Sequence, residues 1–182
     1  MAYLREAQTM ALKLPRTGMA IGIDVGDPAS PHPADKSNVG KRLALLARKI
    51  VYGENIVSSG PLYDSFAIAG NAIQLKFREM GSGIIIGQTP WRAPNVEQWP
   101  TDKLIGFYIA GADKKWVEAD AQIEGASVIV SSAQVAAPEA VRYAWASSPR
   151  ANLYNKEGLP ASPFRTDDWG KPAAPSGPVK TE

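Results

Sequence analysis

The chain contains no cysteine and a single histidine, His32. The first absence excludes disulfides, thiolate-bound zinc and a cysteine nucleophile. The second excludes a metal site built from several imidazoles of one chain, so neither a metal nor another cofactor is expected. Long apolar runs are also missing. Nothing approaches the roughly 20 residues of a membrane-spanning helix, and the N-terminus lacks the apolar core of a signal peptide. No membrane partner is expected. Charge of one sign is scarce as well: the net charge is +2 and Lys and Arg never cluster, which argues against a nucleic-acid partner.

What remains is a chain of 182 residues, 45% hydrophobic and 21% charged, the composition of a globular protein. It is organised around the stretch 17–36, TGMAIGIDVGDPASPHPADK. The apolar run 19–23 has the length and composition of a buried strand. At Asp24 it breaks into a Gly, Asp, Pro and Ser loop carrying Asp24, Asp27 and His32. Before the run, residues 3–14 read as a helix, with Leu4, Ala7, Ala11 and Leu14 on one stripe and Pro15 ending it. After the loop, Val39, Leu43, Leu46 and Ile50 mark a second helical stripe. Asp35 or Ser37 serves as its N-cap and Gly53 as its stop. A strand end followed by an acid-bearing loop and a helix start is where α/β proteins place reactive groups.

From residue 56 to 146 the texture changes to short β-type runs divided by turn residues, the pattern of an antiparallel β-sandwich. The segment 87–102 interrupts them with three prolines and with Trp91 and Trp99. It reads as a long surface loop whose indoles are candidates for stacking on a sugar ring. Trp116 and Trp145 fall within strand patterns and are expected in the core. The tail from residue 171 is rich in Pro and Ala and is expected to lie loosely on the surface. The fold class is therefore α+β: a partial α/β layer of helix, strand and helix, followed by the sandwich. Three parts are expected, 1–53, 54–150 and an extended strap and tail over 151–182. One strand and two helices cannot close an α/β sheet, so the chain is expected to begin in the middle of a larger fold. The apolar faces of both helices are expected to need cover from a second copy, as a homo-oligomer.

Many blocks carry a resemblance: LREAQ (4–8), TGMA (17–20), His32–Pro33, VGKRLALLA (39–47), SGPLY (59–63), FYIAGADKK (107–115), VRYAWA (141–146) and NLYNKEGLPASPFRTDDW (152–169). In this order they resemble the C-terminal half of the sialate O-acetylesterase-like hydrolases, carbohydrate esterases of the GDSL/SGNH superfamily. The resemblance implies an α/β/α hydrolase with attached β-sandwich domains, acting on an acetylated sugar through an acyl-enzyme. It makes His32 the catalytic base and the run 19–23 the last strand of the catalytic sheet. The superfamily often carries an acid three residues before that histidine, where this chain has Ala29; Asp27 stands five before. The serine nucleophile block has no counterpart here, and family members are often secreted or periplasmic.

The residues leave other chemistry open. Asp24 and Asp27 can orient His32, or can simply form turns. With a further acid such as Glu79 they can also form the carboxylate pair of a glycoside hydrolase. Loss of the nucleophile would leave a non-catalytic carbohydrate-binding or structural module.

Overall fold

The computed structural model describes residues 1–30, 32, 35–89, 97–98 and 102–170. Two α-helices come first: α1 (Ala2–Met10), extended by a 3-10 turn over Ala11–Lys13, and α2 (Lys36–Ile50). Six strands follow in order: β1 (Leu62–Ala69), β2 (Ala72–Arg78), β3 (Ile84–Gln88), β4 (Glu97–Gln98), β5 (Phe107–Ala110) and β6 (Val117–Glu118). Five more complete the set: β7 (Asp120–Glu124), β8 (Ser127–Ser131), β9 (Ala140–Tyr143), β10 (Leu153–Asn155) and β11 (Phe164–Arg165). All pairings are antiparallel, in the orders β1-β2-β8-β7, β10-β3-β4 and β11-β9-β5-β6. The class is α+β.

Alternation decides which faces meet. Along β2, Ile73, Leu75 and Phe77 are buried, and Ile73 and Leu75 pair with Val130 and Val128 of β8. Along β5 and β9, Phe107 pairs with Tyr143 and Ile109 with Val141, all four buried. These side chains from both four-stranded sheets, with Ile84 and Leu153 of the third, form one cluster. Burying each such residue contributes about 1.5–3 kcal/mol.

The segment read as a strap is woven into the sheets, since β10 and β11 are its strands. It is fixed by buried amides: Asn152 accepts from Ile105 N–H (2.8 Å) and donates to the Lys103 carbonyl (3.0 Å). Asn155 does the same with Leu159 N–H (2.8 Å) and the Ser59 carbonyl (3.0 Å). Arg165 reaches Asp167 at 3.4 Å, and Arg142 grips the same carboxylate with two bonds of 2.8 Å. Trp116 and Trp145 are half-buried outside this core, where the sequence placed them inside it. The Arg142 guanidinium lies over both indoles, 4.2 Å and 5.7 Å from the ring centres, and that stacking holds them on the outer side of the sheet.

The first 53 residues depart further from expectation. The run 19–23 joins no ladder. A strand is defined by its partners, and among the described residues no backbone group of 17–23 bonds another backbone group. Its side chains are half-buried, not enclosed on both faces. It lies against α2, where a methyl on Gly18 would stand 2.8 Å from both Leu46 and Ile50.

Helix α1 is turned opposite to its apolar stripe. Leu4 is 55% exposed and Leu14 63%, while Arg5, Glu6 and Thr9 are half-buried. The polar side wins because it has partners: Glu6 pairs with Arg165 at 2.6 Å, and Arg5 donates to the carbonyls of Ala146 (2.7 Å) and Ser147 (2.8 Å). Tyr3 also meets Trp145 edge-on, with ring centres 5.4 Å apart. On α2 the buried residues are Asn38, Arg42 and Leu46, and Leu43 of the expected stripe is 53% exposed. The apolar stripe of α1 is thus exposed at Leu4, and that of α2 is exposed at Leu43 while Leu46 is buried and Val39 and Ile50 are half-buried.

Candidate active site

The loop after residue 23 is fixed at its first residue. Asp24 is 5% exposed and faces Arg42 of α2, itself 7% exposed. Arg42 Nη1 reaches Asp24 Oδ1 at 2.7 Å and Nη2 reaches Oδ2 at 2.6 Å, a two-pronged pair. Thr89, just past β3, donates to Oδ2 at 2.6 Å, and the Tyr154 hydroxyl from β10 does so at 2.9 Å. Arg42 also donates to the Ile21 carbonyl, where the expected strand is left without a backbone partner. Burial, and then the Asp24 charge, push the Tyr154 phenol far above its ordinary range, so it stays a neutral donor. Three segments distant in sequence therefore converge on one carboxylate.

Asp24 accepts four hydrogen bonds, about the capacity of an ionised carboxyl group. No hydrogen bond joins it to His32 among the described residues, so Asp24 sets the loop's starting point. Beyond it the loop is a chain of local turns. Asp27 Oδ1 accepts from Ala29 N–H (2.8 Å), the Asp27 carbonyl from Ser30 N–H (3.2 Å), and Ser30 Oγ from His32 N–H (3.0 Å). His32 is exposed. The loop closes at Asp35, the buried N-cap of α2, whose Oδ1 accepts from Asn38 N–H at 3.1 Å and Oδ2 from the Asn38 amide at 2.7 Å.

Two adjoining grooves lie along residues 17–30. One, of about 480 Å³, runs between α1 and residues 17–23. The other, of about 380 Å³, is lined by Asp27, Pro28, Ala29 and Ser30 and faces Ser147, Ser148 and Pro149. Arg5, Gly22 and Ile23 belong to both. Burial lowers the pKa of the Arg5 guanidinium, yet its two carbonyl partners keep it in place as the divider. Both volumes fall in the range of small-ligand sites.

The structure therefore brings Asp24, Asp27 and His32 onto one loop, with Asp24 at its anchored end. Trp91 and Trp99 lie outside the described residues. Glu79 pairs with Lys49 at 3.4 Å on the surface, and Ser82 sits in a turn where its N–H donates to Glu157 at 2.9 Å. Sequence reasoning missed Arg42, Thr89 and Tyr154. The available signal was weak: an arginine one position off an apolar stripe, a threonine just past one strand and a tyrosine within another.

No protein-family model matches the chain. Among curated proteins it is 29% identical to the sialate O-acetylesterase of Mus musculus over 164 residues, 84% of this chain and 28% of that protein. The rat enzyme (Rattus norvegicus) gives the same identity and coverage. A shorter stretch of 55 residues, 28% of this chain and 10% of the relative, is 47% identical to the Homo sapiens sialate O-acetylesterase. Among solved structures, a carbohydrate acetylesterase from Xanthomonas citri superposes with a TM-score of 0.83 at 46% identity, covering 92% of this chain and 36% of that one. The chain is thus similar to sialate and carbohydrate acetylesterases, which are hydrolytic enzymes, over most of its own length. It spans about a third of the length of these relatives.

Proposed function

We propose, from the likeness to sialate and carbohydrate acetylesterases, that this chain carries the histidine-bearing part of a carbohydrate O-acetylesterase of SGNH type. The single observation that supports it most is the placement of the chain's one imidazole. His32 stands exposed on a loop whose two ends are fixed by buried acid networks and whose residues 27–30 line a groove large enough for a sugar. His32 is the general base and Asp27 the carboxylate on the same loop available to orient it, while Asp24 is a positioning residue. The attacking serine comes from polypeptide outside these 182 residues, and so do the strands that pair with residues 19–23. In the reaction, His32 takes the hydroxyl proton as the serine oxygen attacks the acetyl carbonyl. It then returns that proton to the departing sugar oxygen. Water repeats the sequence and releases acetate.

The parts 1–53, 54–150 and 151–182 are read as a catalytic-layer piece, a β-sandwich and a strap. Two sheets sharing one core support the middle reading. Without the complementary part, the exposed Leu4 and Leu43 are covered by a second copy. A glycosidase would need the Asp24 carboxylate open to its substrate, and its burial among four donors weighs against that. The test is labelling with a fluorophosphonate probe followed by peptide mass spectrometry. The 182-residue chain should take up no label and release acetate from nitrophenyl acetate only at background. In a polypeptide that contains the serine, His32→Ala should abolish turnover and Asp27→Asn should lower it partially. A label on Ser30 of this chain would overturn the assignment of the nucleophile, and full activity of His32→Ala would overturn the reading itself.

A further inference from the structure

On the other side of the 147–149 loop lies a third groove, of about 490 Å³, which the acetyl-transfer chemistry does not use. It shares Ser148 and Pro149 with the groove of the His32 loop, so one rim serves both. Its lining combines two aromatic rings with two charged groups: Tyr108, Trp145, Glu118 and Arg150. Tyr108 and Glu118 are cross-strand partners in β5 and β6, and both point away from the core. Tyr108 is 42% exposed, although its strand neighbours Phe107 and Ile109 are completely buried.

Several features mark this groove as built for a ligand. The Trp145 indole is held by Tyr3 edge-on and by the guanidinium groups of Arg142 and Arg165, 5.7 Å and 5.6 Å from its centre. It therefore stands as a fixed wall of the groove. By contrast, the Tyr108 hydroxyl, the Glu118 carboxylate and the Arg150 guanidinium have no hydrogen bond or ion pair among the described residues. Donors and acceptors thus stand unengaged around an aromatic wall, the combination that orients ligands in pockets of this size. The backbone beside it is strained as well. Ala144 holds φ +50 although it carries a side chain, and its N–H is tied to the Gly106 carbonyl at 2.9 Å. Such strain persists only where surrounding structure enforces it, and it concentrates at functional sites.

We infer that this groove is a second sugar subsite, which binds a pyranose unit of the same glycan one or more residues away from the acetylated one. The apolar C–H face of the ring lies on Tyr108 and Trp145. Its equatorial hydroxyls donate to Glu118 and accept from Arg150. An unacetylated ring suffices, because no lining group performs chemistry on an ester. The preferred substrate is then an oligosaccharide and not a free acetylated monosaccharide. The inference rests on the esterase reading only for why a glycan should cross this rim.

The experiment uses ester-free probes, so it is independent of catalysis. Xylotetraose, cellotetraose and chitotetraose, with the corresponding monosaccharides, are titrated into the 182-residue chain and followed by tryptophan fluorescence and indole N–H resonances. At least one tetrasaccharide should bind with millimolar or better affinity, perturb the Trp145 resonance, and bind about tenfold more tightly than its monosaccharide. Tyr108→Ala, at an exposed position and with its fold checked by circular dichroism, should weaken that binding at least about tenfold. Glu118→Gln should weaken it less. Absence of binding by all three tetrasaccharides, or binding unchanged in Tyr108→Ala, overturns the subsite and leaves the esterase reading untouched. Tyr108-dependent binding, in a protein whose serine-containing form releases no acetate, sustains the subsite while the esterase reading falls.

Discussion

Replacing Arg42 by methionine keeps an apolar stem of similar size and removes only the cation. The Asp24 carboxylate, 5% exposed, would then face Thr89 and Tyr154 as its remaining donors. Neither is charged. Removing one member of a buried ion pair costs about 3–5 kcal/mol, because the other charge is left uncompensated in a poorly polarisable interior. For a chain of this size each kcal/mol shifts the melting temperature by about 2–4 °C, so Arg42→Met should lower it by roughly 6–20 °C. The Ile21 carbonyl loses its donor too, which places the variant toward the upper end of that range. Asp24→Asn combined with Arg42→Met should be more stable than the sum of the single effects predicts, by about 0.5–3 kcal/mol. Urea unfolding of wild type, both single variants and the double variant gives the four values needed. A melting temperature within about 2 °C of wild type for Arg42→Met, or strict additivity in the cycle, would refute the claim that this pair anchors the loop.

Two further outcomes follow from the geometry. Burial alone would raise the Asp167 pKa, but the hydrogen bonds and charge of Arg142, and then of Arg165, hold it below the usual carboxylate range. Its folded value is therefore below its unfolded value near 3.9, so its stabilisation is present above about pH 4 and is lost as pH falls through the folded value. Asp167→Asn should flatten the acid limb of a stability–pH curve below about pH 4; an unchanged limb would count against the clamp. The uncovered Leu4, Leu14, Leu43 and Val51 should make the isolated 182-residue chain associate, giving a light-scattering mass above 19.5 kDa. Substituting Leu4 and Leu43 together by Lys should return it to a monomer, whereas a monodisperse wild-type monomer would sink this expectation.

The sequence by itself determined whatever depends on neighbours along the chain. The helix start was legible as a choice between Asp35 and Ser37, because an N-cap acts on the N–H groups two or three residues ahead, and the fold uses Asp35. The alternation of Ile73, Leu75 and Phe77 was legible because a strand sends successive side chains to opposite faces. The loop from Asp24 to His32 could be read for the same reason, since its turns are made by its own residues. Tertiary structure decided what depends on partners far away. The run 19–23 has strand composition, but composition supplies no second strand to pair with. Helix α1 has an apolar stripe, but a salt bridge from Glu6 to Arg165, 159 residues away, turned its polar side inward. The fate of Asp24 was settled in the same way: Arg42, Thr89 and Tyr154 stand 18, 65 and 130 residues from it in sequence, and only the folded chain brings their donors to one carboxylate.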